Sequence, residues 1–393
     1  MTKRSLSLLV LAAGLLASAA GIALYSAVNF GLTAIAPQPR FATVSEEEAE
    51  VFGRRFEEAF AEGPDAAAAL FDGEGLADRV FPSSSPWLTR LTFFISGGGE
   101  EVARSFVGGL SQGVGPRGAH QYRGAVEREG ETHARFRILY VDGGAAFNDY
   151  RLGRRDDGEV RIVDVHTMEL AGYLSDAQRT MAAWSDACEP VGIQRLGGYS
   201  RDDALMGCVQ ELIDDEQAEE ALDVHGTLSE AARGDRLVAR QAVHAAVMLD
   251  DADRYLAVLE EVAQRFPDVP LVHKFIYEER LTRGEWSAAL DSLDVIVAQY
   301  PDPYWTAMRA LVLLDGGDRD ARATAERAVE ADPSFYDGHV VLLQIALANG
   351  DLAAADDGLR ALVSDFDADP EELATVSGFE RLVDLPSYPG AAN

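Results

Sequence analysis

Residues 270–301 read PLVHKFIYEERLTRGEWSAALDSLDVIVAQYP, and this stretch decides the fold of the C-terminal half. It opens with apolar residues at helical spacing and breaks at Gly284. A second periodic segment then carries Ala289, Leu293 and Ile296 on one face, and the stretch stops at Pro301. Glycine accepts the left-handed conformation that ends a helix, and proline cannot continue one, so the pattern is helix, turn, helix, stop. The same pattern recurs from starts at Arg236, Pro270, Asp302 and Tyr336, spaced 34, 32 and 34 residues. Its turn column reads Asp250, Gly284, Gly316, Gly350, and its small-residue column Tyr255, Ala289, Ala321, Ala355. Two packing columns read Leu259, Leu293, Ala325, Leu359 and Val262, Ile296, Ala328, Leu362. The closing column reads Pro267, Pro301, Pro333, Asp367.

A period near 34 residues with these columns resembles the tetratricopeptide repeat. It departs from the family where the small position of the first helix reads Val243, Tyr277, Arg309 and Leu343, and where Tyr255 occupies another small column. Residues 200–235 are expected to form a degenerate leading pair and Pro370–Val383 a capping helix, so 200–385 is one all-α solenoid. In the family, the first helices line a groove that holds a protein or peptide segment. The matching positions are Arg240, Lys274, Thr306 and Val340 in one column and His244, Glu278, Ala310 and Gln344 in the next. Arg240 and Lys274 are cations one repeat apart, suited to a carboxylate or an acidic peptide; the plainer reading is two solvated cations.

Ahead of the repeats, residues 46–175 read as an α+β domain, helices over an antiparallel sheet. Phe52, Phe56 and Phe60 are spaced four apart in a helix over Glu46–Gly63. Further helices are expected at about Asp65–Val80 and over Glu100–Leu110, the latter separated by Gly97-Gly98-Gly99 from a segment around Leu88–Ile95. From Gln121 the period becomes two, with strands around Phe136–Tyr140, Ala145–Arg154 and Val160–His166. Turns are expected at Glu129-Gly130-Glu131, Asp142-Gly143-Gly144 and Asp156-Asp157-Gly158. This element order resembles the nuclear-transport-factor-like or SnoaL-like cone fold, which implies a pocket between helices and sheet. Strict alternation puts Val160, Ile162, Asp164 and His166 on one strand face, making Asp164 and His166 a candidate acid/base pair with Asn148 and Tyr150 beside them. A structural hydrogen-bonded pair is the plainer reading.

The chain has 393 residues and a net charge of −32. Its first forty residues hold Lys3, Arg4 and Arg40 and no acid, so the remainder carries −35. Such a field repels phosphate backbones, which argues against nucleic-acid binding. Lys3 and Arg4 precede an apolar run from Ser5 to Ala36. The run exceeds the ~20 residues that cross a bilayer, so 1–36 is read as an inner-membrane anchor with the bulk outside the cytoplasm. A cleaved signal ending near Ala17-Ser18-Ala19 is the alternative, giving a secreted or periplasmic protein. In an exported chain, Cys188 and Cys208 suit a disulfide across a loop of about twenty residues.

The remaining motifs are weak. Gly109-Leu110-Ser111-Gln112-Gly113 matches a nucleophile elbow but follows a helix where a strand is required. His166-Thr167-Met168-Glu169 has a single histidine, and the cysteine spacing gives no metal site. No metal, no cofactor and no catalytic constellation is expected. The reading is a non-enzymatic docking scaffold, with a small-ligand binder or weak enzyme in the α+β domain as the rival.

Overall fold

The computed structural model describes residues 41–82, 93, 97–114, 119–140, 144–169, 172–183, 200–376 and 378–389. These divide into two compact units, one reaching Ala182 without the 168–172 segment and one holding that segment and the repeats.

The first unit is α+β. Its opening helix α1 (Glu46–Glu62) is set by Ser45, whose side chain accepts the Glu48 N–H while the Glu48 carboxylate accepts the Ser45 N–H, and it buries Phe52 and Phe56. The expected helix over Asp65–Val80 is broken in two, α2 (Pro64–Ala68) and α3 (Gly73–Val80). Between them Phe71 forms a parallel bridge to Ile162, so tertiary pairing overrides local helicity there. Helix α4 (Gly98–Val114) exceeds its expected span at both ends. The segment around Leu88–Ile95 lies almost wholly outside the described residues.

Strands β1 (Ala119–Arg128), β2 (Glu131–Leu139), β3 (Ala145–Arg154), β4 (Val160–Thr167) and β5 (Gly172–Tyr173) form one meander in that order, antiparallel through β4. Glu129 and Gly130 both take positive φ, the geometry of a tight hairpin turn. Helix α1 packs on β1 and β2. The core on that face is aromatic: Phe56 lies 4.8 Å from the Tyr150 ring and 5.4 Å from Phe136. The unit runs past residue 175 because α5 (Leu174–Ala183) follows β5 directly.

The second unit is a tetratricopeptide-like solenoid of helix pairs. A leading pair, α6 (Arg201–Asp214) and α7 (Ala218–Gly226), is followed by the single turn α8 (Glu230–Arg233). The four repeats are α9/α10 (Arg236–Val247, Ala252–Arg265), α11/α12 (Pro270–Thr282, Trp286–Gln299), α13/α14 (Pro303–Asp315, Ala321–Ala331) and α15/α16 (Tyr336–Ala348, Leu352–Phe366). Each helix packs on its pair mate, and the second helix of each of the first three repeats packs on the first helix of the next. Leu259, Leu293, Ala325 and Leu359 are fully buried, as are Ile296, Ala328 and Leu362 in the second packing column. Burying each leucine contributes about 1.5–3 kcal/mol. His273 and His339 occupy one column, and the Nε2 of each lies 3.0 Å from the carbonyl of the preceding turn proline, Pro267 or Pro333.

The third repeat corrects the register. First helices begin at 236, 270, 303 and 336, and Asp302 is the N-cap of α13, its side chain accepting the Tyr304 N–H. The positive-φ turn glycines are Gly284, Gly317 and Gly350, while Gly316 stays right-handed at φ −74°. Ala310, fully buried, therefore fills the small position assigned to Arg309. The expected capping helix is also different: two short turns, α17 (Pro370–Leu373) and a 3-10 turn at Glu380–Asp384, pack Leu373, Phe379, Leu382 and Leu385 against the last pair.

Candidate functional site

Arg240 on α9 and Lys274 on α11 hold equivalent positions, each the fifth residue of its helix. Both are partly buried. The Lys274 ammonium lies 2.8 Å from Glu278 Oε1, an i,i+4 pair that joins the two expected columns, and 5.3 Å from the centre of the Phe275 ring. Such a half-exposed helix pair contributes only about 0.3–0.5 kcal/mol, so an incoming carboxylate can open it. Arg240 and His244 have no ion-pair partner among the described residues, and His244 is exposed.

Two of the expected groove residues move. The later start of α13 places Ala307 level with Lys274 and Leu311 level with Glu278. Thr306 is thus one residue, about 100° of helix, out of the column. Gln344 is level with Glu278 on α15 but lies under the C-terminal segment, where a Cβ added to Gly378 would stand 3.1 Å from its amide nitrogen.

In the α+β unit, the proposed acid/base cluster is not assembled. The β3–β4 register passes from Arg151↔Asp164 to Leu152↔Ile162, leaving Val163 as the extra residue of a bulge. A bulge reverses the alternation, so Ile162 shares the helix-covered face with Tyr150, while Asp164 and His166 point the other way. Asp164 is fully engaged there: Oδ2 accepts the Ser175 hydroxyl at 2.6 Å, and Oδ1 accepts the N–H groups of Val165 at 2.9 Å and Ser175 at 3.2 Å. Burial raises its pKa, against the lowering effect of those donors. His166 packs edge-on against Tyr173, ring centres 5.2 Å apart. These contacts anchor α5 to the sheet. On the opposite face, Asn148 hydrogen-bonds Tyr150, whose hydroxyl shares a 2.9 Å hydrogen bond with His120 Nε2.

Sequence reading missed two buried polar centres. His120 lies between Phe60 at 4.3 Å and Phe136 at 4.4 Å, and burial pushes its pKa down to about 3, so it is neutral at physiological pH. Asp149 is fully buried. It accepts two hydrogen bonds from Arg135, at 2.7 and 2.9 Å, and two from Arg128, at 2.7 and 3.2 Å. Burial raises its pKa, but the two guanidinium groups outweigh this and hold the carboxyl below its usual range. The alternation of Arg135 and Arg137 with apolar residues was the available signal, though alternation reads as a solvated face.

Ser111 lies inside α4 rather than at a strand-to-helix elbow. Among the described residues no group of three His, Cys, Asp or Glu side chains is placed to hold a metal. Cys208 on α6 is buried and disulfide-bonded, and Cys188 lies outside the described residues. So does the expected anchor over 1–36. Among the described residues no helix is long and apolar enough to cross a membrane.

No protein-family model and no characterised sequence matches the chain. Among solved structures it is similar to MamA. One is the "RS-1 ArsTM double mutant", 19% identical with a TM-score of 0.35 over 44% of this chain and 93% of that one. Another is MamA from residue 41 to its end, from Desulfovibrio magneticus RS-1, 21% identical with a TM-score of 0.34 over 40% and 89%.

Proposed function

We propose that this chain is a membrane-anchored, extracytoplasmic docking scaffold that holds an acidic segment of a partner protein along its first helices. The observation that carries the reading is the Arg240–Lys274 pair: two cations at equivalent positions of successive first helices, one without a counter-ion among the described residues and the other tied by a weak intrahelical bridge and a ring contact. On a chain of net charge −32 such a pair is a local exception that recognises carboxylates. The export reading rests on Lys3 and Arg4 ahead of the apolar run. The α+β unit is read as cone-like from its helices on one sheet face and the parallel Phe71–Ile162 bridge.

The test is crosslinking recovery from native membranes with the parent chain and with Arg240→Glu plus Lys274→Glu. Each lost charged contact weakens binding by about tenfold or more, so a dominant crosslinked partner should disappear while helicity by circular dichroism is kept. Unchanged recovery of that partner would remove the groove from consideration.

A further inference from the structure

Neither the groove nor the sheet face uses a cleft of about 500 Å³ in the first unit. It lies where the start of α3 meets the start of α4, and the buried Phe71 and Ala103 line it. Asp72 also lines it and is 3% exposed. Two contacts fix it: its N–H donates to the Ile162 carbonyl at 2.7 Å, and Oδ1 caps α3 by accepting the Gly75 N–H at 2.7 Å. Oδ2 accepts no hydrogen bond. Its counter-ion is Arg155, with Nε at 3.3 Å, a side chain 42% exposed that also reaches Glu74 at 3.6 Å. A buried carboxylate oxygen that meets a half-exposed counter-ion without accepting a hydrogen bond from it is poorly satisfied, and a better-placed donor gains from replacing that ion.

The charges at the rim have a consistent sign. Arg104 is paired with Glu101, and Arg161 donates to the Ala69 carbonyl at 2.7 Å and pairs with Glu159. By contrast, the side chains of Asp65 and Glu100, which also line the cleft, meet no partner among the described residues. All three arginines are committed, and the uncommitted charge is negative.

We infer that this cleft binds a guanidinium group, which donates to Asp72 Oδ2 in place of Arg155, with Asp65 and Glu100 as outer counter-charges. The planar fork of a guanidinium matches a carboxylate, and the volume falls in the range of about 300–1,000 Å³ typical of ligand sites. The group belongs either to a free small molecule or to an arginine side chain of a peptide, and two probes separate these.

The detergent-solubilised full chain is titrated calorimetrically with agmatine and with the tripeptide amide Gly-Arg-Gly. Asp72 is left intact because it caps a helix. Arg155→Met, which frees Oδ2, should tighten binding by roughly two- to fivefold. Asp65→Asn with Glu100→Gln should weaken it by about tenfold. Agmatine binding as well as the tripeptide assigns a free cation, and a preference for the tripeptide assigns a peptide side chain. No saturable binding of either probe, or affinities unchanged in both variants, overturns the inference.

Discussion

His120 makes the α+β unit acid-labile, and the size of the effect follows from its surroundings. The ring is enclosed by Phe60, Phe136, Phe56 and Tyr150, and burial lowers its pKa from an ordinary 6.5 to about 3. Between those two values the unfolded chain binds a proton that the folded chain refuses. Stability from this group is therefore complete above about pH 6.5 and is lost as pH falls toward 3. From pH 7 to pH 5 the loss is about 2 kcal/mol, a factor of about 30 in the opening equilibrium. His133, lowered to about 4 chiefly by burial, acts in the same direction. Asp164, whose pKa burial raises, acts in the opposite one. The measurement is accordingly a difference between two proteins. His120→Phe with Tyr150→Phe replaces the pair by rings of similar shape but takes a partner from the buried Asn148, which costs about 1–3 kcal/mol at pH 7. Hydrogen-exchange protection of β2 and β3 amides, corrected for intrinsic rates, reports this unit separately from the repeats. Parent protection should fall about 30-fold more than that of the double variant between pH 7 and pH 5. Parallel pH profiles for the two proteins would refute a buried neutral His120.

Three further outcomes test the repeats. Leu293→Ala empties a fully buried site between paired helices and should cost about 2–5 kcal/mol in urea unfolding of the second unit. Gly317→Ala places a side chain at φ +71° and should cost about 1–2 kcal/mol, whereas Gly316→Ala, at φ −74°, should cost clearly less. The reverse order would return the turn to Gly316. Reduction of the Cys208 disulfide should lower the stability of the second unit by about 3 kcal/mol, read as a drop in urea midpoint with dithiothreitol that a Cys208→Ser variant no longer shows.

The repeats were legible because the packing columns repeat a physical constraint. A helix pair must bury Leu293 and Ile296 whatever the neighbouring loops do, and Gly284 with Pro301 marks both ends of the pair. Where a loop changes length, that logic fixes the second helix but not the first. From the first-helix start to the small-residue column is 19 residues in the second and fourth repeats and 18 in the third. Keeping the second-helix columns in line therefore shifted α13 by one position and put Thr306 where Ala307 belongs. Two adjacent glycines, 316 and 317, hid the slip, since either satisfies the turn by composition and only the backbone conformation separates them.

The sheet carries the same lesson with opposite legibility at its two bulges. The β1 bulge is marked in the sequence, because Gly124 takes φ +119° immediately after the register shift. The β4 bulge falls at Val163, a residue that fits any strand position, so nothing in the Val160–His166 pattern betrays it. A single inserted residue exchanges the faces of everything beyond it. That exchange turns the expected acid/base pair into a helix anchor, with Asp164 holding Ser175, and brings Asp149 and Asp164 onto one face with Arg135 and Arg151. A buried row of this kind needs every charge answered, and Asp149, with four hydrogen bonds from two arginines, is answered in full. Among the described residues Asp72 and Glu131 each keep one buried oxygen that accepts no hydrogen bond; Glu131 pairs with Arg151, whereas Asp72 lines a cleft, and that setting separates a structural carboxylate from one open to a ligand.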